Sequence, residues 1–157
     1  MNASVIALAL LICMCCPLSP RDKILLERAH QFQTCQVTFN VSGLAAIFAE
    51  DSVTNIPIGT GRNVGKKEIL TSFAEYFKTL NTLSQKIIGE VEINGNHLAY
   101  SKQINAFTKK ECTVSYSVIN WFVFNEENLI QEFSAIFNLT SVKQQSACHL
   151  FGETSRF

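Results

Sequence analysis

Residues 59–69 read GTGRNVGKKEI, three glycines and two lysines in a composition suited to cradling phosphate. The spacing does not fit. A P-loop needs four residues between its glycines and then Gly-Lys-Ser/Thr. Here Gly61 and Gly65 enclose three residues, Gly59 and Gly65 enclose five, and Lys67 stands where the magnesium-binding hydroxyl belongs. The dinucleotide pattern GxGxxG fails as well, because the third glycine comes one residue late. The preceding SVTNIP, with Asn55 and Pro57, is a poor central strand. The stretch reads as a turn into a helix starting at Lys67, and no nucleotide is expected as a partner.

A second group of reactive side chains lies further along. Alternation over 112–124 puts Tyr116, Val118, Asn120, Phe122 and Phe124 on one face, with Ser115, Ser117, Ile119, Trp121 and Val123 on the other. Over 97–108 the more apolar phase holds Leu98, Tyr100, Lys102, Ile104 and Ala106. Over 129–138 Phe133, Ala135 and Phe137 share a phase. Facing one another, these make an aromatic pocket with two phenols, one amide and one amine. Each also has a structural role: the tyrosines as core aromatics with hydroxyls at the rim, and Lys102 as a snorkelling side chain at the sheet edge. Asn120 needs a partner if buried, either a neighbouring tyrosine or a ligand. His30, His97 and His149 accompany no nucleophile, and no CxxC or histidine cluster offers a metal site. No cofactor motif is present.

The elements that would position these groups follow from periodicity. Apolar residues Ile24, Leu25, Ala29, Phe32, Cys35 and Phe39 mark a helix over about 24–39, and Leu44 to Ala49 a short second one. A further helix over 67–80 buries Ile69, Leu70, Phe73, Phe77 and Leu80. The period then changes to two, giving strands at about 83–94, 97–108, 112–124 and 129–138. Helices followed by a strand meander predict an α+β fold, a curved antiparallel sheet wrapped around N-terminal helices as a cone-shaped roll whose mouth can hold a ligand.

A chain of 157 residues supports one core. Lys+Arg and Asp+Glu are both 13, so nothing in the charge points to nucleic acid. Val5 to Cys16, VIALALLICMCC, is an apolar run ended by Pro17 and Pro20. It is too short to span a bilayer and has the length of a signal-peptide core. We expect a secretory signal over 1–20, a domain over 24–138, a tail over 139–157, and no membrane association once the signal is cleaved. Cleavage would leave Cys35, Cys112 and Cys148, an odd number in an oxidising compartment. If strands 112–124 and 129–138 pair with Phe124 opposite Leu129, Val114 falls near Leu139 and the tail can return to Cys112. A Cys112–Cys148 disulfide is therefore expected, with Cys35–Cys148 as its rival. Asn40 and Asn138 head glycosylation sequons.

The stretch LAAIFAEDSVTNIPIGTGRNVGKKEILTSFAEYF resembles the opening of the nuclear transport factor 2-like superfamily, particularly its SnoaL-like and ketosteroid isomerase-like branch. The pattern is a helix ending in Phe-Ala-Glu-Asp (Phe48 to Asp51), a short strand ending Pro-x-Gly (Pro57 to Gly59), then a glycine loop before a helix. INWFVF (Ile119 to Phe124) and LIQEFSAIF (Leu129 to Phe137) continue it, so the resemblance covers roughly residues 28 to 138. The isomerase in that branch uses an Asp base, with a Tyr and a protonated Asp around the oxyanion. The resemblance carries these roles to Ile56, Phe32 and Asn120. Isoleucine takes no proton and phenylalanine donates none; only Asn120 keeps a donor. The isomerase mechanism is therefore not expected.

Three readings remain, in this order. The first is a secreted, non-catalytic binder of a small apolar molecule. The second is a lyase or isomerase of unrecognised type using Asn120 with Tyr116, Tyr100 or Lys102. The third is an interaction protein forming a homodimer through the outer sheet face around Trp121 and Ile119.

Overall fold

A computed structural model describes residues 17–59, 61–138 and 140–142. Helix α1 (Pro20–Val37) opens on a capping box: the Ser19 side chain accepts from Asp22 N, and the Asp22 carboxylate accepts from Ser19 N. Leu25, Ala29, Phe32, Cys35 and Gln36 form its buried stripe, whereas Ile24 is exposed. The helix closes with Phe39 at φ 55°, Phe39 N donating to Gln36 O and Asn40 N to Cys35 O. A left-handed residue here usually is glycine; the Phe39 ring instead packs on Phe77, with centroids 5.4 Å apart.

Asn40 then caps α2 (Val41–Ala45), its Oδ1 accepting from Gly43 N at 2.9 Å. The second helix is thus earlier and shorter than expected, and Phe48 and Ala49 open strand β1 (Phe48–Asn55). β1 also takes in Ser52 to Asn55, the residues read as a poor central strand, and it lies between two neighbours. Asn55 Nδ2 donates to Glu132 and Ser134, and Thr54 Oγ1 accepts from Asn63 Nδ2, whereas Ser52 Oγ is buried without a hydrogen-bond partner. The glycine loop contains a short strand, β2 (Arg62–Val64), before α3 (Lys66–Lys78). Gly65 caps α3 at φ 88°, a conformation only glycine adopts without strain.

The meander follows as β3 (Leu80–Asn94), β4 (His97–Thr108), β5 (Thr113–Phe124) and β6 (Ile130–Ile136), close to the expected bounds. The sheet order is β2-β1-β6-β5-β4-β3. All pairs are antiparallel except β1–β6, which is parallel and was not anticipated. A bulge in β3 between Ile88 and Val91, with Gly89 at φ 84°, bends the long strands over the helices. The result is an α+β fold with an unclosed, curved sheet packed on α1 and α3.

The β5–β6 register differs from the expected one. Phe124 pairs with Ile130, and after a bulge Ile119 pairs with Ile136. The bulge inserts one further residue, and β6 ends opposite Ile119, so Val114 has no partner on it.

Phe32 lies at the centre of the core, fully buried, with ring centroids of Phe133, Phe122, Phe73 and Phe48 at 4.6, 5.3, 5.9 and 6.1 Å. The edge-on and tilted arrangements are those aromatic quadrupoles favour.

Candidate functional site

Between the concave sheet face and helices α1 and α3 lies a cavity of ≈ 50 Å³. At roughly 10–15 Å³ per water-sized atom, it holds only a few such atoms. Of the residues expected to line a pocket, Ile56, Lys102, Tyr116, Val118, Asn120, Phe133 and Ala135 surround it. Phe32, Tyr100 and Phe122 do not; they pack behind its wall, all nearly inaccessible. Gln36, Tyr76, Gln85 and Phe137 also line it and escaped the strand-based reading.

The strand phases explain the inward set. On β4 Leu98, Tyr100, Lys102, Ile104 and Ala106 are buried; on β5 Val118, Asn120 and Phe122 are buried, with Tyr116 half-exposed. Register then aligns them: Tyr100 pairs with Asn120, and Lys102 with Val118.

Three polar arrangements occupy this interior. Asn120 Nδ2 donates to the Tyr100 hydroxyl at 3.2 Å, so the buried amide finds a tyrosine as its partner. Burial pushes the Tyr100 phenol far above its usual range, against hydrogen bonds to Asn120 and Gln33. The Tyr116 and Tyr76 hydroxyls are hydrogen-bonded to each other. Both residues are partly buried. Tyr76 is pushed up to about 12 by burial, and Tyr116 is raised well above its ordinary value by burial and by Tyr76.

The third is centred on Lys102, which corrects the expectation of a snorkelling side chain. Lys102 is 1% exposed. Its Nζ donates to Gln36 Oε1 at 2.9 Å and Gln85 Oε1 at 2.8 Å, while Gln85 Nε2 donates to Gln36 Oε1 at 2.9 Å. The amine cannot reach solvent because β4 is covered by β3 on one side and β5 on the other, with α1 laid across them. Desolvation lowers its pKa to about 7. No carboxylate lines the cavity, and among the described residues none pairs with Lys102.

The three positions of the isomerase mechanism are now placed. Ile56 lines the cavity, Asn120 is bonded to Tyr100, and Phe32 is buried in the core behind the cavity wall. No acid–base pair stands among them. Among the described residues there is no group of His, Cys, Asp and Glu side chains able to hold a metal ion. No helix among them is long and apolar enough to cross a membrane.

Outside the cavity, Cys35 is a free, buried thiol, raised by desolvation, which leaves no room for a Cys35–Cys148 bridge. Cys148 lies outside the described residues, as does the segment 1–16. Asn40 and Asn138 are both exposed, and each side chain also accepts a backbone N–H, from Gly43 and Ser141.

No protein-family model matches the chain, and no curated protein matches its sequence. Solved structures do. An LEH-like epoxide hydrolase from M. tuberculosis superposes with a TM-score of 0.68 at 13% identity, covering 78% of this chain and 89% of that one. A protein described as a SnoaL-like polyketide cyclase from Jannaschia sp. CCS1 superposes with a TM-score of 0.74 at 10% identity, covering 85% and 98%. Both are members of the nuclear transport factor 2-like superfamily, and this chain has their fold.

Proposed function

We propose that this chain is a non-catalytic binding module that takes a small, mainly apolar molecule into the cavity between sheet and helices. One observation carries the reading: the polar groups around the cavity are bonded to one another, and the remaining walls are apolar. Asn120 is bonded to Tyr100, Tyr116 to Tyr76, and Lys102 to Gln36 and Gln85. Phe73, Leu83, Ile104, Val118, Phe133 and Ala135 supply the hydrocarbon surface. Such a site rewards burial of apolar area.

The structural neighbours' descriptions as a hydrolase and a cyclase favour an enzyme as the second reading. Against it, the lining contains neither carboxylate nor histidine to take or give a proton. The apolar run over 5–16 and the exposed sequon residues Asn40 and Asn138 support secretion.

The test is methyl NMR on the purified protein with 1-butanol and 2-butanone as probes. Shifts centred on the lining methyls of Ile56, Leu83, Ile104, Val118 and Ala135 are expected. No shift at these methyls with either probe overturns the reading.

A further inference from the structure

The deepest polar group of the cavity is an amine, and its surroundings suit a nucleophile better than a cation. The two glutamine oxygens that accept from Lys102 Nζ, at 2.9 and 2.8 Å, engage both hydrogens of a neutral amine. That leaves the nitrogen lone pair over. The third hydrogen of an ammonium finds no further hydrogen-bond acceptor among the described residues; the Phe32 ring, 5.9 Å from Nζ, is at the outer limit of cation–π range. No carboxylate is present to hold the charge. A neutral amine in an apolar pocket is the form that attacks carbonyl carbon.

We propose that Lys102 is a covalent capture site for small aldehydes, which enter the cavity and are held on Nζ as an imine. This rests on the reading that the cavity admits small apolar molecules, and it assigns the chemical class. The lone pair of Nζ forms the C–N bond while the carbonyl π pair moves to oxygen. One proton passes from nitrogen to that oxygen, giving a carbinolamine. The second N–H proton leaves with the hydroxyl as water, and the nitrogen pair closes C=N. Atoms balance as amine plus aldehyde to imine plus water, with no oxidant or reductant.

The rest of the site fits this assignment. Gln36 and Gln85 fix the amine before attack, and their mutual bond of 2.9 Å needs no proton from Lys102, so it can survive imine formation. A cavity of ≈ 50 Å³ suits a chain of a few carbons. Val118 lies across from Lys102 on the neighbouring strand and would border an unsubstituted alkyl group. Because desolvation lowers the amine's pKa to about 7, half of it is free at neutral pH. That is on the order of a thousandfold more than for a lysine of ordinary pKa.

The experiment treats the purified full chain with limiting butanal at pH 7, adds borohydride, and locates the label by peptide mapping. Reduction turns the imine into a stable N-butyl amine. The expected result is N-butyl-Lys102 formed about tenfold ahead of any surface lysine, part of the gain in free amine being lost to restricted entry. Label spread over Lys23, Lys67, Lys78 and Lys86 with Lys102 unmodified overturns the proposal. Butanol separates it from the cavity reading: butanol shifts without Lys102 labelling sink the imine alone, and absence of both sinks the two together. Lys102→Met should abolish capture. If that variant fails to fold, Lys102→Gln, which is neutral and carries no nucleophilic amine, should do the same. Capture elsewhere at undiminished yield in the folded variant also counts against the proposal.

Discussion

Lys102 Nζ lies 2.9 Å from Oε1 of Gln36, a bond that joins the middle of β4 to the last turn of α1. The contact makes the protonation of one amine a property of the whole fold. Its hydrogen-bond partners are Gln36 from α1 and Gln85 from β3, and the phenols lining the same cavity are Tyr76 from α3 and Tyr116 from β5. None is charged at neutral pH.

Stability should therefore rise with pH just above neutrality. Folding lowers the Lys102 pKa from an unfolded value near 10.5 to about 7. Between these values the unfolded chain holds the proton and the folded one does not. The slope is then positive, on the order of 1.4 kcal/mol per pH unit at most. Below pH 7 both states hold the proton and the full cost of the buried charge is present. Cys35 opposes the trend, because its raised thiol lets the unfolded chain release a proton first, near pH 9. The window to examine is pH 7.5–8.5. Urea unfolding should show a positive slope there, and Lys102→Met should lose most of it while gaining stability at pH 7. A wild-type slope no greater than that of the variant would contradict the desolvated amine.

The aromatic centre carries a larger effect. Phe32 touches four phenylalanine rings and is fully buried, so Phe32→Ala should cost about 3–5 kcal/mol. Chemical denaturation measures this. A loss below about 1 kcal/mol would mean that the core collapses around the gap or that Phe32 is not central.

Isomerase activity should be absent and hard to install. With a Δ5-3-ketosteroid, neither the wild type nor Ile56→Asp should give a rate above buffer. The cavity of ≈ 50 Å³ is far below the few hundred Å³ a drug-sized ligand needs. Phe32 also leaves the oxyanion unsupported, and a missing donor costs about 10²–10³ in rate. Absorbance of the conjugated product is the readout, and turnover by either protein would contradict this placement of the residues.

How much of this was legible in the sequence depends on how local the cause is. The inward phase of β4 and β5 follows from alternation alone, so Tyr100, Lys102, Val118, Asn120 and Phe122 could be assigned to one face. The burial of Lys102 could not, because it needs α1 and β3 to close over the strand from distant parts of the chain. Gln36 did leave a signal: it stands four residues after Phe32 on the apolar stripe, a polar residue where a core residue is due. Gln85 is similar, in phase with buried Leu83 and half-buried Ile87. Phe48 and Ala49 were read as helix because a short apolar run has no decisive period. Pairing of Phe48 with Ile130 of β6 decided for strand.

The last prediction concerns the close approach of α1 and α2. A Cβ at Gly43 would collide with Cys35 Sγ and lie 2.8 Å from Asn40 Nδ2. Both neighbours are constrained: Cys35 is buried against the core, and Asn40 caps α2 through Gly43 N. Alanine ordinarily favours a helix over glycine by about 1 kcal/mol. Here overpacking should outweigh that gain, so Gly43→Ala should destabilise by about 1–3 kcal/mol. Cys35→Ala removes the sulfur and opens the space, at its own cost in lost packing. The double variant should then be more stable than the sum of the two single losses implies, with a coupling of about 0.5–3 kcal/mol. Thermal and urea unfolding of all four proteins complete the cycle. Strict additivity would mean that the strain resides in the Asn40 cap, and a stabilising Gly43→Ala would show that the two helices do not approach as described.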